Sequence, residues 1–373
     1  MRKVPKLNAV DAISPAVTLT RTNLFNPFRW GFWLRLAVLG FFTGEMSSGG
    51  GCNFNAPANW NRPRHDQQFL SSAPQFPHIP HVDPHVLWAI LPVLIFAFVV
   101  IALIFLYISS VLRFVLLEAV LNGQVSIRNG WSRWLGQGTR YFVFRLLFGL
   151  LFLAIIGTCA LILLMMLGVA TWGHTGGPPA AAIAGLIVGG ICIFILAIPF
   201  ILVTLFAKDF AVPVMALEGT TFGDAWRRVW AMVTAEPGSV AVYVGMKIVL
   251  AIAASIIFGI ITVIAILVLA IPTAIVAVIA VFAFKAAGVG IGAFTITLIV
   301  AAAIVLIAVI IFVAALIHVP VAAFFPTYAL YFFAGRYAPL HDRLFPPPPP
   351  APPVPEAPPA PPMPEPPPEP LAT

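Results

Sequence analysis

Lys208 to Leu250 reads KDFAVPVMALEGTTFGDAWRRVWAMVTAEPGSVAVYVGMKIVL, the longest polar interruption between apolar spans in the second half of the chain. It carries Phe210, then Glu218-Gly219, then Asp224-Ala225-Trp226-Arg227-Arg228, a turn at Glu236-Pro237-Gly238, and Lys247 at the entry to the next apolar run. Weaker copies lie upstream. With Arg113-Phe114 set over Asp209-Phe210, Gly123 falls on Gly219; after a slip of a single residue Trp131 falls on Trp226 and Arg133 on Arg228. Further on, Arg145 in VFRLLF takes the place of Lys247 in GMKIVL. Asp11-Ala12 set over Asp224-Ala225 leads to a turn at Asn26-Pro27 and then to Arg35 in WLRLAVL. Internal repetition sets a fold, because each unit is a supersecondary piece that buries its apolar face against its neighbours. The repeat predicts three units, each an amphipathic helix, a turn, a cation and a transmembrane hairpin.

Composition agrees. Only 9% of the 373 residues are charged and 61% are apolar, which excludes an ordinary soluble domain and points to a membrane protein. The net charge of +7 does not imply nucleic acid, since the cations flank apolar spans instead of forming one basic face. Cys159 and Cys192 lie in apolar spans and read as small hydrophobes; Cys52, after SSGGG, lacks the aliphatic residue a lipid-attachment site would show upstream. Arg2, Lys3 and Lys6 are followed by no apolar core before about Phe28, so no cleaved signal peptide is expected.

The predicted fold is all-α: a polytopic helical membrane domain over residues 1–345 and a disordered Pro-rich tail over 346–373. Six spans are expected, at 28–46, 86–112, 141–171, 180–207, 240–270 and 291–318, arranged as three hairpins. A polar loop, 47–85, separates the first two spans. Segments such as 113–140, with Arg113, Arg128, Arg133 and Arg140, are read as cytoplasmic interfacial amphipathic helices. From 240 to 318 the only breaks are Pro272, Lys285 and the Gly288, Gly290, Gly292 series; two long helices are the reading, and four short ones fit the length as well. Apart from Arg62, Arg64 and Lys285, every Lys and Arg lies in the N-terminal, 113–145, 208–247 or C-terminal segments. That asymmetry places both termini in the cytoplasm, with the protein in the cell membrane.

No catalytic constellation accompanies this pattern: no phosphate-cradling glycine loop, no HExxH, no nucleophile elbow. Glu45 and Glu118 are the carboxylates nearest the spans and read as structural residues solvated at span ends. The loop HIPHVDPH offers His78, His81 and His85 as candidate metal ligands, although Pro80 and Pro84 prevent one helical ligand face and a solvated loop is the plain alternative. Arg35, Arg145 and Lys247 are the sharper set. Each sits just inside the inner boundary of a hairpin, where a cation either snorkels to the surface or helps to hold an anionic lipid head group. The Pro-rich tail is extended polyproline II, either an inert spacer or a ligand for a protein partner with an aromatic groove.

The residues Phe210 to Gly219, Asp224 to Trp230 and Tyr243 to Leu250, with the aromatic exit His318 to Tyr337, resemble the membrane domain of some bacterial glycerophosphodiester phosphodiesterases and related uncharacterised membrane proteins. The resemblance implies a helical membrane domain over about residues 8–340. The phosphodiesterases' soluble barrel and its metal-binding acidic and histidine residues have no counterpart here, so it carries no hydrolytic activity over. The expected function is that of a non-enzymatic, cofactor-free membrane protein that binds or helps to move a lipid or other amphiphile, or acts as a membrane scaffold, with membrane lipids, anionic ones included, as its partners. The alternative is a small-solute transporter or channel subunit.

Overall fold

The structure, a computed structural model, describes residues 8–46, 84–171, 180–286 and 292–345, and among them the regular elements are all helical. They are α1 (Ile13–Phe25), α2 (Trp30–Thr43), α3 (Pro84–Asn122), α4 (Ile127–Thr171), α5 (Ala180–Phe206), a π-helical segment (Ala207–Ala211), α6 (Val212–Glu218), α7 (Phe222–Ala235), α8 (Pro237–Ala286), α9 (Ala293–Ile317), α10 (Val319–Ala334) and α11 (Ala338–Leu344).

Five of these stretches are long and apolar enough to cross a membrane: Ile90–Asn122, Ile127–Met166, Ile183–Glu218, Pro237–Ala283 and Thr295–Ile317. Their apolar side chains stand in the open, with Phe98 71% and Phe194 70% exposed. Exposure on that scale is unfavourable in water and natural in hydrocarbon, where a helix satisfies its own backbone polar groups. The buried core lies at one end of these arms. There α1, α2, the last turns of α3, the π-helical segment, α6, the first turns of α8 and α10 enclose Leu36, Phe114, Phe210, Tyr243, Tyr328 and Phe332, all fully buried. The molecule therefore has a packed base from which apolar arms project. At about 1.5 Å per residue, the 50 residues of α8 run roughly 75 Å, enough to belong to both.

The arms form two groups. Helices α3, α4 and α5 pack in succession, with Phe148 and Phe152 stacked on Phe200 at 4.7 and 3.8 Å between ring centroids. Helix α8 pairs with α9. The groups are joined through the base, chiefly by α2 and α10, and among the described residues no pairing of comparable extent joins them along the arms.

The internal repeat has a structural counterpart. Gly123 and Gly219 both close a helix in the left-handed region, with φ of 64° and 69°, a conformation that costs glycine nothing and ends a helix cleanly. Phe114 and Phe210 are both fully buried. Behind each turn an arginine reaches back to a glutamate of the helix before it: Arg133 to Glu118 at 3.0 Å, and Arg228 to Glu218. Tyr141 and Tyr243 are buried and each lies one turn before the matched cation, with Arg145 5.9 Å from the Tyr141 ring and Lys247 5.8 Å from the Tyr243 ring.

Two expectations change in detail. Residues 113–140 are not one amphipathic helix: Arg113 belongs to α3, the chain turns at Gly123, and Arg128, Arg133 and Arg140 belong to α4, which runs unbroken into the third expected span. The third unit does break between α7 and α8, because Pro237 lacks the N–H that would continue α7; no proline stands at the matching place in α4. Helix α2, with 14 residues and about 21 Å, is shorter than the expected first span of 28–46. Residues 240–318 hold two helices, and Pro272 lies inside α8. Most of the loop 47–85 and the tail 346–373 fall outside the described residues.

Candidate functional site

Two buried cations, Arg113 and Lys247, two buried carboxylates, Glu45 and Asp209, and the half-buried Lys208 lie in the base where α2, α3, the π-helical segment and α8 meet. Glu45, 2% exposed just past the end of α2, accepts from Lys208 Nζ at 2.7 Å and pairs with Arg113 Nη1 at 3.3 Å. Arg113 also donates from Nη2 to the Thr43 carbonyl at 2.5 Å. Asp209 accepts from Lys247 and, at 2.8 Å, from the Tyr243 hydroxyl. The π-helical segment makes the junction possible. Lys208 and Asp209 are consecutive, so they diverge around the helix, one toward the end of α2 and the other toward α8. Local widening of this kind often marks functional positions inside helices.

Carboxylates and ammonium groups withdrawn from water are tolerated only when paired and hydrogen-bonded, and here each has a partner. The pairing leaves an imbalance: Arg113, Lys208 and Lys247 against Glu45 and Asp209, a net charge of +1. The Arg113 Nε, itself buried, has no hydrogen-bond partner. Beside it lies a cavity of about 30 Å³ bordered by Glu45, Arg113, Lys208 and Asp209, room for roughly one water molecule.

The cations singled out in the sequence do not form one triad. Lys247 belongs to the network through Asp209. Arg35 donates to the Val125 carbonyl at 2.8 Å, beside the turn between α3 and α4. Arg145 donates to Ser109 Oγ at 3.0 Å and to Ser110 Oγ at 3.5 Å. It faces a groove of about 350 Å³ along α4 and α5, lined mainly by apolar side chains such as Phe144, Phe148, Leu150, Leu153 and Phe200. Of the candidate metal ligands, His78 and His81 lie outside the described residues and His85 falls in the first turn of α3. Among the described residues no group of three or more His, Cys, Asp or Glu side chains is placed to hold a metal ion.

Glu45 corrects the sequence reading: it is buried between two cations, not solvated at a span end. Glu118 is half-buried and accepts from Arg133 and from Trp134 Nε1. Missed altogether were Arg113, Lys208 and Asp209 as one site. The available signal was electrostatic: a Lys-Asp dipeptide in an apolar run needs partners of opposite sign, and Glu45, Arg113 and Lys247 stand in or beside other apolar runs.

Beyond the network, a second set of polar contacts ties the base together. Glu218 accepts from Arg228 and from the Tyr337 hydroxyl, and Arg336 pairs with Glu236 at 3.1 Å while lying 4.1 Å over the Phe332 ring. Burial, and then the hydrogen bond to Glu218, raise the Tyr337 phenol above its ordinary range.

A family model described as a family of unknown function, DUF7544, matches residues 7–342. No curated protein and no solved structure matches the chain.

Proposed function

We propose that this chain, which belongs to that family of unknown function, is a non-enzymatic membrane protein that holds a lipid or other amphiphile at the cytoplasmic side of the bilayer. The observation that carries this reading is the arrangement of the arms: two groups of apolar helices, joined through the base and not along their length, above a buried ionic network. A space between such groups is reached from the hydrocarbon and not from water, and charged groups at its foot suit a molecule with a polar head and an apolar body. In this reading α7, with Ala225 and Val229 turned inward and Trp230 and Arg227 outward, rests on the inner leaflet. Both termini face the cytoplasm, and residues 28–46, which hold the short α2, make the first of six crossings. The resemblance to the membrane domain of bacterial glycerophosphodiester phosphodiesterases fits a role near lipid without supplying a hydrolytic site.

The small-solute alternative finds one favourable feature, the cavity among Glu45, Arg113, Lys208 and Asp209, whose size of about one water is small for a solute pathway. Native mass spectrometry of the protein released from mild detergent separates the two. Retention of one or two lipid molecules through detergent exchange supports the amphiphile reading; a protein that emerges lipid-free refutes it.

A further inference from the structure

Resting on the amphiphile reading, we infer that Arg145 is the head-group anchor of a binding groove for a single anionic membrane lipid, and that the other two matched cations are not. The repeat exposes the difference. In the later unit Lys247 is satisfied by Asp209. In the earlier unit the residue matched to Asp209 is Arg113, a cation of the same sign as Arg145 and within electrostatic reach of it. Arg145 therefore has no carboxylate in the place where its counterpart has one, and its side-chain partners are the neutral hydroxyls of Ser109 and Ser110. Arg113 is itself a cation, so it adds repulsion and not the missing negative charge, and its own partners are Glu45 and the Thr43 carbonyl.

The surroundings specify what can. A guanidinium that has given one of its nitrogens to serine hydroxyls keeps further donors, and a phosphate or carboxylate oxygen is their strongest acceptor. The groove running from Arg145 is about 350 Å³, within the range of small-ligand sites, and is apolar except at its Arg145, Tyr141 and Thr204 positions. It takes hydrocarbon along Phe148, Leu150, Leu153 and Phe200 while the head meets Arg145. A water-soluble anion makes no use of that wall, so the occupant is an anionic lipid from the surrounding leaflet.

Two substitutions separate head from tail. Arg145→Gln removes the charge. Gly149→Leu fills the groove, because nothing lies within 4 Å of a side chain started there, and leaves the charge in place. Arg133→Gln, on an arginine of the same helix whose side chain is 65% exposed, is the control. Each protein is reconstituted in nanodiscs of zwitterionic phosphatidylcholine with an anionic phosphatidylglycerol, released, and weighed with its retained lipid; circular dichroism and gel filtration confirm folding. Phosphatidylglycerol retention falls about tenfold in Arg145→Gln and in Gly149→Leu, is restored in part by Arg145→Lys, and is unchanged in Arg133→Gln. Inorganic phosphate at millimolar concentration does not displace it. Wild-type retention in folded Arg145→Gln overturns the site while leaving the amphiphile reading intact, as does displacement by inorganic phosphate. Absence of any retained lipid in the parent protein overturns both.

Discussion

Lys247→Met and Asp209→Asn should not cost the same, although they break the same ion pair. Both residues are buried, 6% and 4% exposed, and removal of one partner from a buried pair typically costs about 3–5 kcal/mol. The network decides where in that range each falls. Without Lys247 the remaining Arg113 and Lys208 balance Glu45 and Asp209, and Asp209 keeps the Tyr243 hydroxyl at 2.8 Å. Without Asp209, three cations share one carboxylate, and Lys247 is left with the Tyr243 ring at 5.8 Å. One further unbalanced charge at about 6 Å and an effective dielectric near 20 amounts to roughly 3 kcal/mol before relaxation. Lys247→Met is therefore expected near the low end, about 3 kcal/mol, and Asp209→Asn about 2 kcal/mol beyond it. The double variant should recover at least about 2 kcal/mol relative to the sum of the singles, since it leaves no orphaned partner. Equilibrium unfolding in mixed micelles, followed by tryptophan fluorescence and far-ultraviolet circular dichroism, measures all three. Lys247→Met as costly as Asp209→Asn, or strictly additive effects, would refute the charge accounting.

Gly138 lies where α4 crosses α3, and a side chain there would start 2.7 Å from Val111 Cγ2 and 2.9 Å from the Val111 Cα, so Gly138→Ala should cost about 1–3 kcal/mol in the same titration. Gly149→Ala meets open space on the same helix and should be neutral or stabilising by up to about 1 kcal/mol. The raised Tyr337 phenol stabilises the fold below its unfolded value near 10, and that stabilisation is lost as pH rises through the higher native value; the stability gap between parent and Tyr337→Phe should thus be full at neutral pH and close at strongly alkaline pH in a pH series of unfolding midpoints. Single cysteines at Ser132 and Thr221, in a cysteine-free background, should be protected from an impermeant thiol reagent applied outside cells, while cysteines at Ser72 and Thr175 react; the reverse pattern would invert the proposed topology.

What the sequence disclosed about the fold was whatever repeats or has a period. Apolar runs long enough to cross hydrocarbon announced the arms, since nothing else in a chain with 9% charged residues needs such runs. Gly123 fell on Gly219 in the repeat, and both end a helix in the left-handed region, although the turn at Gly123 was not read from the sequence. Helix continuity was less legible. The boundary expected between the segment 113–140 and the span 141–171 is absent, because α4 runs through it and Gly138 serves its crossing with α3. Pro272 suggested a break, and α8 carries it, since loss of one backbone hydrogen bond is small against fifty residues of helix.

The site was harder to read for a different reason. A sequence shows the sign of a charge and its distance from the nearest span end, not the direction in which its side chain leaves the helix. Glu45 sits at the end of an apolar run, where water is ordinarily close, and only the packing of α3 and the π-helical segment against it closes that access. Arg35, Arg145 and Lys247 occupy matched positions, so repetition alone predicted matched roles. Their roles diverge because the partner positions are not matched: an aspartate stands opposite Lys247, an arginine stands at the equivalent place near Arg145, and Arg35 meets a backbone carbonyl. In an internally repeated membrane protein the informative residue is therefore the one whose copy has lost its counter-charge. A partly buried cation without its carboxylate costs free energy unless something else takes the carboxylate's place, and under the proposed function the anion that does so at Arg145 is the head group of a lipid.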